Sequence, residues 1–244
     1  MKLIVVGATG LVGSEVIRLA LRNPSVASVV AIARKPVPAP TNAGPEAQTS
    51  KLQSVVLENW TDPYPEDVIQ HIKDADACIW ALGVTPTQSK DMDFAAVTTI
   101  CHDYTLNALT NMTAHARNPF RFIYTSGVAA ERDQAKTPPF LAEYLLMRGR
   151  TETAILEFAT QHADRGIEIT VAKPGGIASP GREAIGAQFL ALVESFGHTA
   201  TVHVSELAAA MLDQCLHGVT KDPLWGEDLV EIGRRVLREG DYLR

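Results

Sequence analysis

The start of the chain, where an apolar run ends in a glycine-rich turn, constrains the fold more than any other feature. Leu3–Val6 is apolar throughout, as in a parallel strand buried on both faces. The turn Gly7–Gly13 follows with the spacing Gly-x-x-Gly-x-x-Gly, and apolar residues then recur at helical spacing as far as Asn23 and Pro24. Strand, glycine turn and amphipathic helix in this order predict the first unit of a nucleotide-binding α/β fold.

Each glycine of the turn has a physical role in holding a pyrophosphate. Gly7 permits the tight turn, Gly10 lets the backbone approach phosphate, and Gly13 allows the helix to pack on the sheet. Backbone N–H groups and the positive end of the helix dipole then meet the phosphate oxygens. The predicted pyrophosphate-binding residues are Gly7, Thr9, Gly10, Leu11, Val12 and Gly13. The alternative is a glycine turn that binds no ligand.

A basic pair follows the second predicted strand, at the position that distinguishes the two nicotinamide dinucleotides. An acidic residue there accepts hydrogen bonds from the adenine ribose of NAD(H), whereas a basic residue meets the 2′-phosphate of NADP(H). This chain has Arg34 and Lys35 after Ala33. Because a guanidinium binds phosphate through paired hydrogen bonds, the pair predicts NADP(H), although such a pair is often only solvated surface. Glu58, after the third predicted strand, either faces the adenine or is an ordinary loop carboxylate.

Strands alternate with helices along most of the chain, which predicts a doubly wound (Rossmann) α/β fold with a mostly parallel sheet and right-handed crossovers. The predicted strands are Leu3–Val6, Ser28–Ala33, Val55–Leu57, Ala77–Leu82, Arg121–Thr125 and Ile167–Ala172. After the first helix, the predicted helices are Glu66–Lys73, a long helix from Phe94 through Met112, Phe140–Gln161, Ser205–His217 and Asp228–Arg238. Without a repeat or a clear linker, residues 1–244 are expected to form one domain, with about 178–244 covering the substrate side.

Composition excludes several classes of function. Hydrophobic residues make up 46% and charged residues 20% of the chain, as in ordinary globular proteins, and the formal net charge of -6 offers no basic surface for nucleic acid or an anionic membrane. No apolar stretch reaches membrane-spanning length, and the first strand leaves no room for a secretory signal. The widely spaced Cys78, Cys101 and Cys215 fit reduced thiols. The expected location is the cytoplasm.

Several motifs occur in a fixed order over most of the first 180 residues. They are Gly7–Gly13, Leu82-Gly83, Asp103-Tyr104, Tyr124-Thr125-Ser126-Gly127, Tyr144-Leu145-Leu146-Met147-Arg148-Gly149 and Lys173-Pro174-Gly175-Gly176-Ile177. In this ordered set the chain resembles the short-chain dehydrogenase/reductase superfamily, in particular its atypical branch of NmrA-like and Tat-interacting-protein-like proteins.

The resemblance implies a catalytic group of serine, tyrosine and lysine, which falls here on Ser126, Tyr144 and, in the lysine position, Arg148. In that family the serine orients the substrate carbonyl, the tyrosine exchanges a proton, and the lysine holds the nicotinamide ribose. The further cofactor-binding residues implied are Leu82, Gly83, Thr125, Tyr144, Arg148, Pro174, Gly175, Gly176 and Ile177. The backbone of Pro174–Ile177 would meet the nicotinamide amide, although ending a strand is a sufficient role for these residues.

Arginine in place of lysine changes the expected chemistry. Tyr144 and Arg148 are four residues apart and share one face of a helix. A phenol has a pKa of about 10, and a nearby cation brings that pKa down. A guanidinium supplies the charge and donors for ribose hydroxyls, but it stays protonated and cannot act as the neutral amine of a proton relay. A tyrosine with a cation lying over it for packing alone is the alternative.

Other polar residues give weaker signals. His198 and His203 lie in the region expected to cover the substrate, where a histidine could exchange protons, but such residues are more often ordinary polar surface. Asn107 is expected on a helix surface. Cys101 and His102 lack a second metal-binding pair, so no metal site is predicted.

These observations predict an NADPH-dependent oxidoreductase of the atypical short-chain dehydrogenase/reductase type, acting on a small carbonyl or hydroxyl compound. Two alternatives remain open. One is a redox-silent module whose NADP(H) occupancy is reported to a protein partner, which the arginine substitution favours. The other is a non-redox isomerase or cyclase that uses the same cleft, since fold alone does not exclude it.

Overall fold

The computed structural model describes residues 1–181, 197 and 201–239, and it contains a parallel sheet of seven strands in the order β3-β2-β1-β4-β5-β6-β9. The strands of this sheet are β1 (Lys2–Val6), β2 (Ser28–Ala33), β3 (Leu52–Val56), β4 (Ala77–Trp80), β5 (Phe120–Thr125), β6 (Ile167–Lys173) and β9 (Leu224–Trp225). Strand order reverses between the neighbours β1 and β4. Because ligands of open α/β sheets bind outside the carboxyl ends of the strands at such a reversal, the topology places the site there.

Helices cover both faces of the sheet. They are α1 (Leu11–Arg22), α2 (Glu66–Ile72), α3 (Pro86–Ser89), α4 (Phe94–Thr98), α5 (Tyr104–His115), α6 (Ala142–Gln161), α7 (Val204–His217) and α8 (Gly226–Glu239). Residues of α1, α7 and α8 pack on one face, and residues of α2, α5 and α6 pack on the other. The predicted doubly wound α/β fold is confirmed.

Strand β1 shows why its sequence is apolar without interruption. Leu3 and Val5 point to the face covered by α1 and α7, whereas Ile4 and Val6 point to the face covered by α5. All four side chains are fully buried. A strand buried on both faces has no position for a polar side chain, so its sequence loses the alternation of a half-exposed strand.

Three strands of the seven-stranded sheet differ from the prediction by two or more residues, and the two strands of a second, smaller sheet were not predicted. Strand β3 begins at Leu52 rather than Val55, because it is an edge strand in which Gln53 and Ser54 are exposed and so break the apolar run. Strand β4 ends at Trp80, two residues before the predicted end. Strand β9 was missed, since two residues are too short for any periodic pattern.

The helices differ in their details. A π-helical turn at Thr99–Asp103 joins α4 and α5, so the long predicted helix is regular only in part. Helix α6 begins at Ala142 rather than Phe140, because Leu141 adopts a left-handed backbone conformation with φ of 42° and makes no side-chain cap. A leucine in this region is uncommon and costs conformational energy, so surrounding contacts must fix the start of the helix that carries Tyr144.

A second, two-stranded parallel sheet follows β6. Strand β7 (Gly176–Ala178) pairs with β8 (Thr201–His203), and α7 begins directly after β8. The main-sheet strand therefore ends at Lys173, and the chain resumes as a strand at Gly176, after Pro174 and Gly175. Within the described residues, no helix is both long and apolar enough to cross a lipid bilayer.

Candidate functional site

The glycine turn forms an open cradle of backbone donors between β1 and α1. Gly10 is the N-cap of α1 and makes no side-chain cap, and the first helical hydrogen bond runs from Ser14 N to Gly10 O at 3.0 Å. The N–H groups of Leu11, Val12 and Gly13 therefore have no acceptor within the helix. Uncapped N–H groups at the positive end of a helix suit a pyrophosphate.

Two glycines of the turn cannot be replaced without moving the backbone. Gly7 has φ of 79°, and a Cβ there would lie 2.5 Å from the carbonyl of Ala81. A Cβ on Gly13 would lie 2.3 Å from Gly7 O, because the first turn of α1 rests directly on the loop. The cradle exists in this form only because both side chains are absent.

A cavity of about 500 Å³ lies against this turn, at the carboxyl ends of β1, β2 and β4. Five predicted cofactor residues line it: Gly7, Thr9, Arg34, Leu82 and Gly83. Sequence reasoning missed the other lining residues, which are Ile32, Ala33, Trp60, Val84, Gln88, Asp91, Met92, Ile100 and Tyr104. They lie in or after strands, in or just after α3, in the π turn and at the start of α5, where no local pattern marks a residue as facing a cleft.

The basic pair lies at the edge of this cavity. Arg34 lines it and is exposed, and Lys35 beside it is exposed as well. Neither side chain makes a hydrogen bond or ion pair with another described residue, so both are free to meet an anion. The cavity has Arg34 in its wall at the end of β2, where NAD(H)-selective folds have a carboxylate.

An indole, rather than Glu58, lies in the cavity wall after β3. Glu58 lines a separate depression of about 340 Å³. Trp60 lines the main cavity and stacks on Tyr104 with ring centroids 6.0 Å apart. Asn107 donates to Trp60 O at 2.8 Å and to Asp62 O at 2.9 Å, so this helix-surface amide fixes the loop that carries the indole.

Tyr144 and Arg148 lie behind the part of the cavity wall formed by Gly83 and Val84. The Tyr144 hydroxyl donates to Val84 O at 2.8 Å. The Arg148 guanidinium donates from Nη2 to Thr125 O at 2.7 Å and lies over the Tyr124 ring, 5.0 Å from its centroid. Both side chains are buried, so the shared face of α6 points inward, as their spacing predicts.

Electrostatics at this face follow from burial. Desolvation raises the pKa of the Tyr144 phenol above its ordinary value, while the charge of Arg148 acts in the opposite direction. For Arg148, desolvation acts to lower the pKa, but Tyr124 and Tyr144 raise it, and the net pKa lies above the ordinary arginine value. Tyr144 is therefore a protonated donor and Arg148 a permanent cation at neutral pH.

Ser126 belongs to a different cluster, which we call the Glu152 cluster: Ser126, Arg132, Glu152, Lys173 and Asp222. The Ser126 hydroxyl donates to Glu152 Oε1 at 2.5 Å, and Arg132 Nε donates to Glu152 Oε2 at 2.7 Å. Lys173 Nζ lies 3.0 Å from both carboxylate oxygens of Glu152, and Arg132 also binds Asp222 at 3.0 Å. Burial lowers the pKa of Lys173, while Glu152 acts to raise it. Glu152, fully buried, is held by two cations and one hydroxyl.

The structure does not bring the hydroxyls of Ser126 and Tyr144 onto a common partner. Ser126 binds Glu152, which lies eight residues after Tyr144 on α6, a rise of about 12 Å along the helix axis. Thr125, by contrast, meets Arg148 through its carbonyl oxygen and donates its hydroxyl to Met211 Sδ at 3.5 Å.

Pro174, Gly176, Ile177 and His203 have structural partners. Pro174 accepts a hydrogen bond from Val128 N at 2.9 Å, and Gly176 and Ile177 pair with β8. His203 caps α7, where its ring accepts from Ser205 N in a capping box. His198 lies outside the described residues. No group of three or more histidine, cysteine or acidic residues in the described ranges could hold a metal ion.

The model of a family described as NAD(P)H-binding matches residues 7–217, which is most of the chain and includes the glycine turn, Tyr144 and Arg148. The chain belongs to the NAD(P)H-binding family. This match confirms a nicotinamide dinucleotide as the cofactor, and in fold the chain is similar to a short-chain dehydrogenase. A search of curated proteins gives no significant match.

Solved structures of other proteins share the fold of this chain. A short-chain dehydrogenase from Burkholderia cenocepacia in complex with NADP has a TM-score of 0.64 and 16% identity, over 100% of this chain and 97% of that one. Vestitone reductase from alfalfa has a TM-score of 0.61 and 23% identity, over 91% of this chain and 74% of that one. Yeast methylglyoxal/isovaleraldehyde reductase complexed with NADPH has a TM-score of 0.60 and 17% identity, over 88% of this chain and 74% of that one. At these identities the likeness shows the fold.

The residues present fit a dinucleotide. Gly7 and Gly13 form a cradle that a Cβ on either one would fill. The N–H groups at the start of α1 lack acceptors. Arg34 lies at the β2 end of the same cavity. Gly83 also lines the cavity, and a Cβ on it would lie 3.2 Å from Arg148 Nη1. Backbone donors suited to phosphate and an exposed cation suited to a 2′-phosphate therefore lie beside the same cavity.

Proposed function

We propose that the chain is an NADPH-dependent oxidoreductase acting on a small carbonyl or hydroxyl compound. The observation that carries this proposal is the position of Tyr144 and Arg148, a neutral phenol and a permanent cation on one face of α6. Both lie directly behind the backbone of Gly83 and Val84 in the wall of the cofactor cavity. A proton donor beside a fixed positive charge is what carbonyl reduction requires, because negative charge develops on the carbonyl oxygen.

NADP(H) rather than NAD(H) is the proposed cofactor. Arg34 lines the cavity, is exposed and has no partner among the described residues, and Lys35 adds a second positive charge. A guanidinium at this position stabilises the 2′-phosphate and leaves a plain ribose without a specific partner.

Tyr144 and Arg148 each have a proposed role in the reaction. Tyr144 leaves Val84 O and gives its proton to the substrate oxygen, at the cost of one ordinary hydrogen bond of about 1 kcal/mol. Arg148 donates to the nicotinamide ribose and stabilises charge on Tyr144. The predicted role of Ser126 in orienting the carbonyl requires its hydroxyl to leave Glu152, so the proposal does not depend on Ser126. The bound cofactor supplies the hydride.

The test of the enzyme is NADPH consumption against a panel of small aldehydes and ketones. Replacing Tyr144→Phe removes the proton donor and should lower kcat by about 100-fold or more while NADPH affinity stays within about threefold. The matched control is Tyr64→Phe, because the Tyr64 hydroxyl is buried without a hydrogen-bond partner and Tyr64 is not among the cavity-lining residues. Unchanged turnover in Tyr144→Phe would remove the proposed proton donor.

The test of the cofactor is a comparison of affinities by calorimetry. Arg34→Ala should weaken NADP(H) binding by about tenfold or more and leave NAD(H) binding within about twofold, since hydrogen bonds to charged groups contribute about 1.5–3 kcal/mol. Equal losses for both dinucleotides would show that Arg34 does not read the 2′-phosphate.

A redox-silent regulatory module is the second candidate. The observation that favours it is Arg148 itself, since a guanidinium that stays protonated cannot relay a proton from Tyr144 to solvent as a neutral amine could. Tight NADP(H) binding without turnover of any carbonyl in the panel, together with a protein partner whose binding depends on the cofactor, would select this candidate.

A further inference from the structure

We propose that Ser126 accepts a hydrogen bond from the substrate instead of donating one, so that the site selects carbonyl compounds that also carry a hydroxyl group. The inference rests on the proposed function and deepens it, because it names the class of substrate. The carbonyl oxygen itself stays with Tyr144, the proposed proton donor. This role differs from the one that the family resemblance implies for Ser126, which is to orient the substrate carbonyl.

The hydroxyl of Ser126 has one proton, and Glu152 takes it. Ser126 Oγ donates to Glu152 Oε1 at 2.5 Å, a short distance typical of a hydroxyl bound to a charged carboxylate. In the described part of the chain, no other side chain binds this hydroxyl. A carboxylate that pairs with both Lys173 and Arg132 is ionised and only accepts hydrogen bonds. The Ser126 oxygen therefore offers lone pairs to a ligand and has no proton to give.

The hydrogen bonds of Glu152 are complete, which fixes the Ser126 proton in place. Oε1 accepts from Ser126 and Lys173, and Oε2 accepts from Arg132 and Lys173, so the roughly four lone-pair positions of a carboxylate are filled. Lys173 gives its third N–H to Ala130 O at 2.7 Å and has no donor left to replace Ser126. Turning the Ser126 proton to a carbonyl would cost a charge-assisted hydrogen bond, equal to about tenfold to a hundredfold in an equilibrium constant.

Ser126 lies on the edge of the sheet where ligands of such folds bind. Trp80 of β4 pairs with Tyr124 of β5. Two residues further along each strand direction, Leu82 lines the cavity and Ser126 is partly exposed. A Cβ on Gly127 would meet nothing within 4 Å, so the space beside Ser126 is open. A substrate held at the carboxyl ends of the strands therefore meets the Ser126 oxygen.

The charges around Ser126 favour a neutral hydroxyl over an ammonium group as the donor. The Glu152 cluster holds two cations, Lys173 and Arg132, against two carboxylates, Glu152 and Asp222. Arg148, whose charge interacts with Glu152, adds a further positive charge nearby. An ammonium group would lose its hydration here without gaining an unpaired carboxylate, whereas a hydroxyl carries no such cost. The expected substrates are therefore hydroxy aldehydes and hydroxy ketones.

The experiment compares hydroxymethyl ketones with their methoxymethyl counterparts, each with methyl or phenyl as the other substituent. Both members of a pair have an oxygen beside the carbonyl, but only the hydroxymethyl member donates a hydrogen bond. Dissociation constants are measured by ligand-observed NMR on the full chain saturated with NADP⁺, which has no hydride to transfer, so that binding is separated from turnover. The wild type should bind the hydroxymethyl member about fivefold or more tightly than the methoxymethyl member.

A pair of serine variants tests whether Ser126 causes this preference. Ser126→Ala removes the acceptor, so the ratio of the two dissociation constants should fall to within about twofold. The matched control is Ser54→Ala on the edge strand β3, which removes a hydroxyl that accepts from Val37 N and should keep the wild-type ratio. A preference that persists in Ser126→Ala would overturn the inference.

The state of the Ser126 proton is measured without any ligand. A hydroxyl proton held between Ser126 and a fully buried carboxylate should give a downfield proton resonance that exchanges slowly with water and is lost in Ser126→Ala. A wild-type spectrum without such a resonance would show that the proton is free to turn, and the inference would be wrong. Equal affinities of the wild type for both members of each pair would also overturn it, whether or not the variant folds.

The outcomes separate this inference from the proposed function. Equal binding within each pair, together with NADPH consumption, refutes the acceptor role of Ser126 and leaves the oxidoreductase intact. A preference for the hydroxymethyl member that disappears in Ser126→Ala, without NADPH consumption on any carbonyl, supports the inference and refutes the enzyme. Failure of all four ketones to bind overturns the inference, and NADPH consumption with the wider panel then decides the proposed function.

Discussion

Gly13→Ala tests whether the cradle of the glycine turn holds the cofactor. The new Cβ would lie 2.3 Å from Gly7 O and 2.8 Å from Gly7 C, and ordinary van der Waals contact begins at 3.4 Å. The first turn of α1 or the Gly7 loop must therefore move by about 1.1 Å, the difference between 3.4 and 2.3 Å. Neither contact is with a flexible side chain, so the backbone itself has to shift.

A shift of this size is enough to break the proposed phosphate contacts. An N–H···O distance of about 2.9 Å becomes about 4 Å, which is beyond hydrogen-bonding range. Each hydrogen bond to a charged group contributes about 1.5–3 kcal/mol, so the loss of two corresponds to about 3–6 kcal/mol. At 1.4 kcal/mol per factor of ten, NADPH affinity should fall by about 100-fold to 10,000-fold. Overpacking should also lower the free energy of unfolding by about 1–3 kcal/mol.

Calorimetric titration with NADPH and urea denaturation measure these two effects separately. The matched control is Gly127→Ala, where a Cβ meets nothing within 4 Å and where the chain does not line the cavity. That variant should keep both NADPH affinity and stability near the wild-type values. If folded Gly13→Ala binds NADPH within about threefold of the wild type, the pyrophosphate does not rest on this turn.

Two further predictions concern the interior of the molecule. Glu152→Gln leaves Lys173 buried without a carboxylate partner, and urea denaturation should show that the free energy of unfolding falls by about 3–5 kcal/mol. The control Glu131→Gln breaks a partly exposed ion pair and should cost less than about 1 kcal/mol. Equal losses in the two variants would contradict the importance of burial. Burial raises the pKa of the Cys78 and Cys215 thiols above the ordinary 9.0. Above pH 9 the unfolded chain releases two protons that the folded chain keeps, so the free energy of unfolding should fall with pH by about 1.4 kcal/mol per unit for each thiol. A free energy that stays flat between pH 9 and 10.5 would refute this.

The parts of the fold that the sequence predicted well are those with strong local patterns. Strand β1 and helix α1 emerge from the apolar run and the turn Gly7–Gly13, and β2 is found at Ser28–Ala33 as predicted. For the two strands, burial on both faces of a parallel sheet imposes a continuous apolar run, whereas α1 has apolar residues at helical spacing. Strand β9 has two residues and no such pattern, and its place at the edge of the sheet depends on its pairing with β6.

The candidate site divides in the same way. Gly7, Thr9 and Arg34 lie within one strand–turn–helix–strand unit, so spacing alone was enough to predict these three cavity-lining residues. The contacts of the predicted catalytic residues are not local in sequence. The Tyr144 hydroxyl donates to Val84 O, 60 residues away, and the Ser126 hydroxyl donates to Glu152, 26 residues away. No spacing rule relates such pairs, because the packing of α6 against the sheet brings them together.

By itself the sequence determined that a glycine turn joins the first strand to the first helix, that the sheet is parallel, and that Tyr144 and Arg148 share one helical face. Backbone geometry and hydrophobic periodicity act over a few residues, so these features are present in the chain before it folds. Only the tertiary structure decided which charges are neutralised: Glu152 is paired with Lys173 and Arg132, and Arg148 is left with a carbonyl oxygen and an aromatic ring. Charge compensation in a low-dielectric interior depends on distances of a few ångströms between distant segments, and those distances exist only after the core has packed.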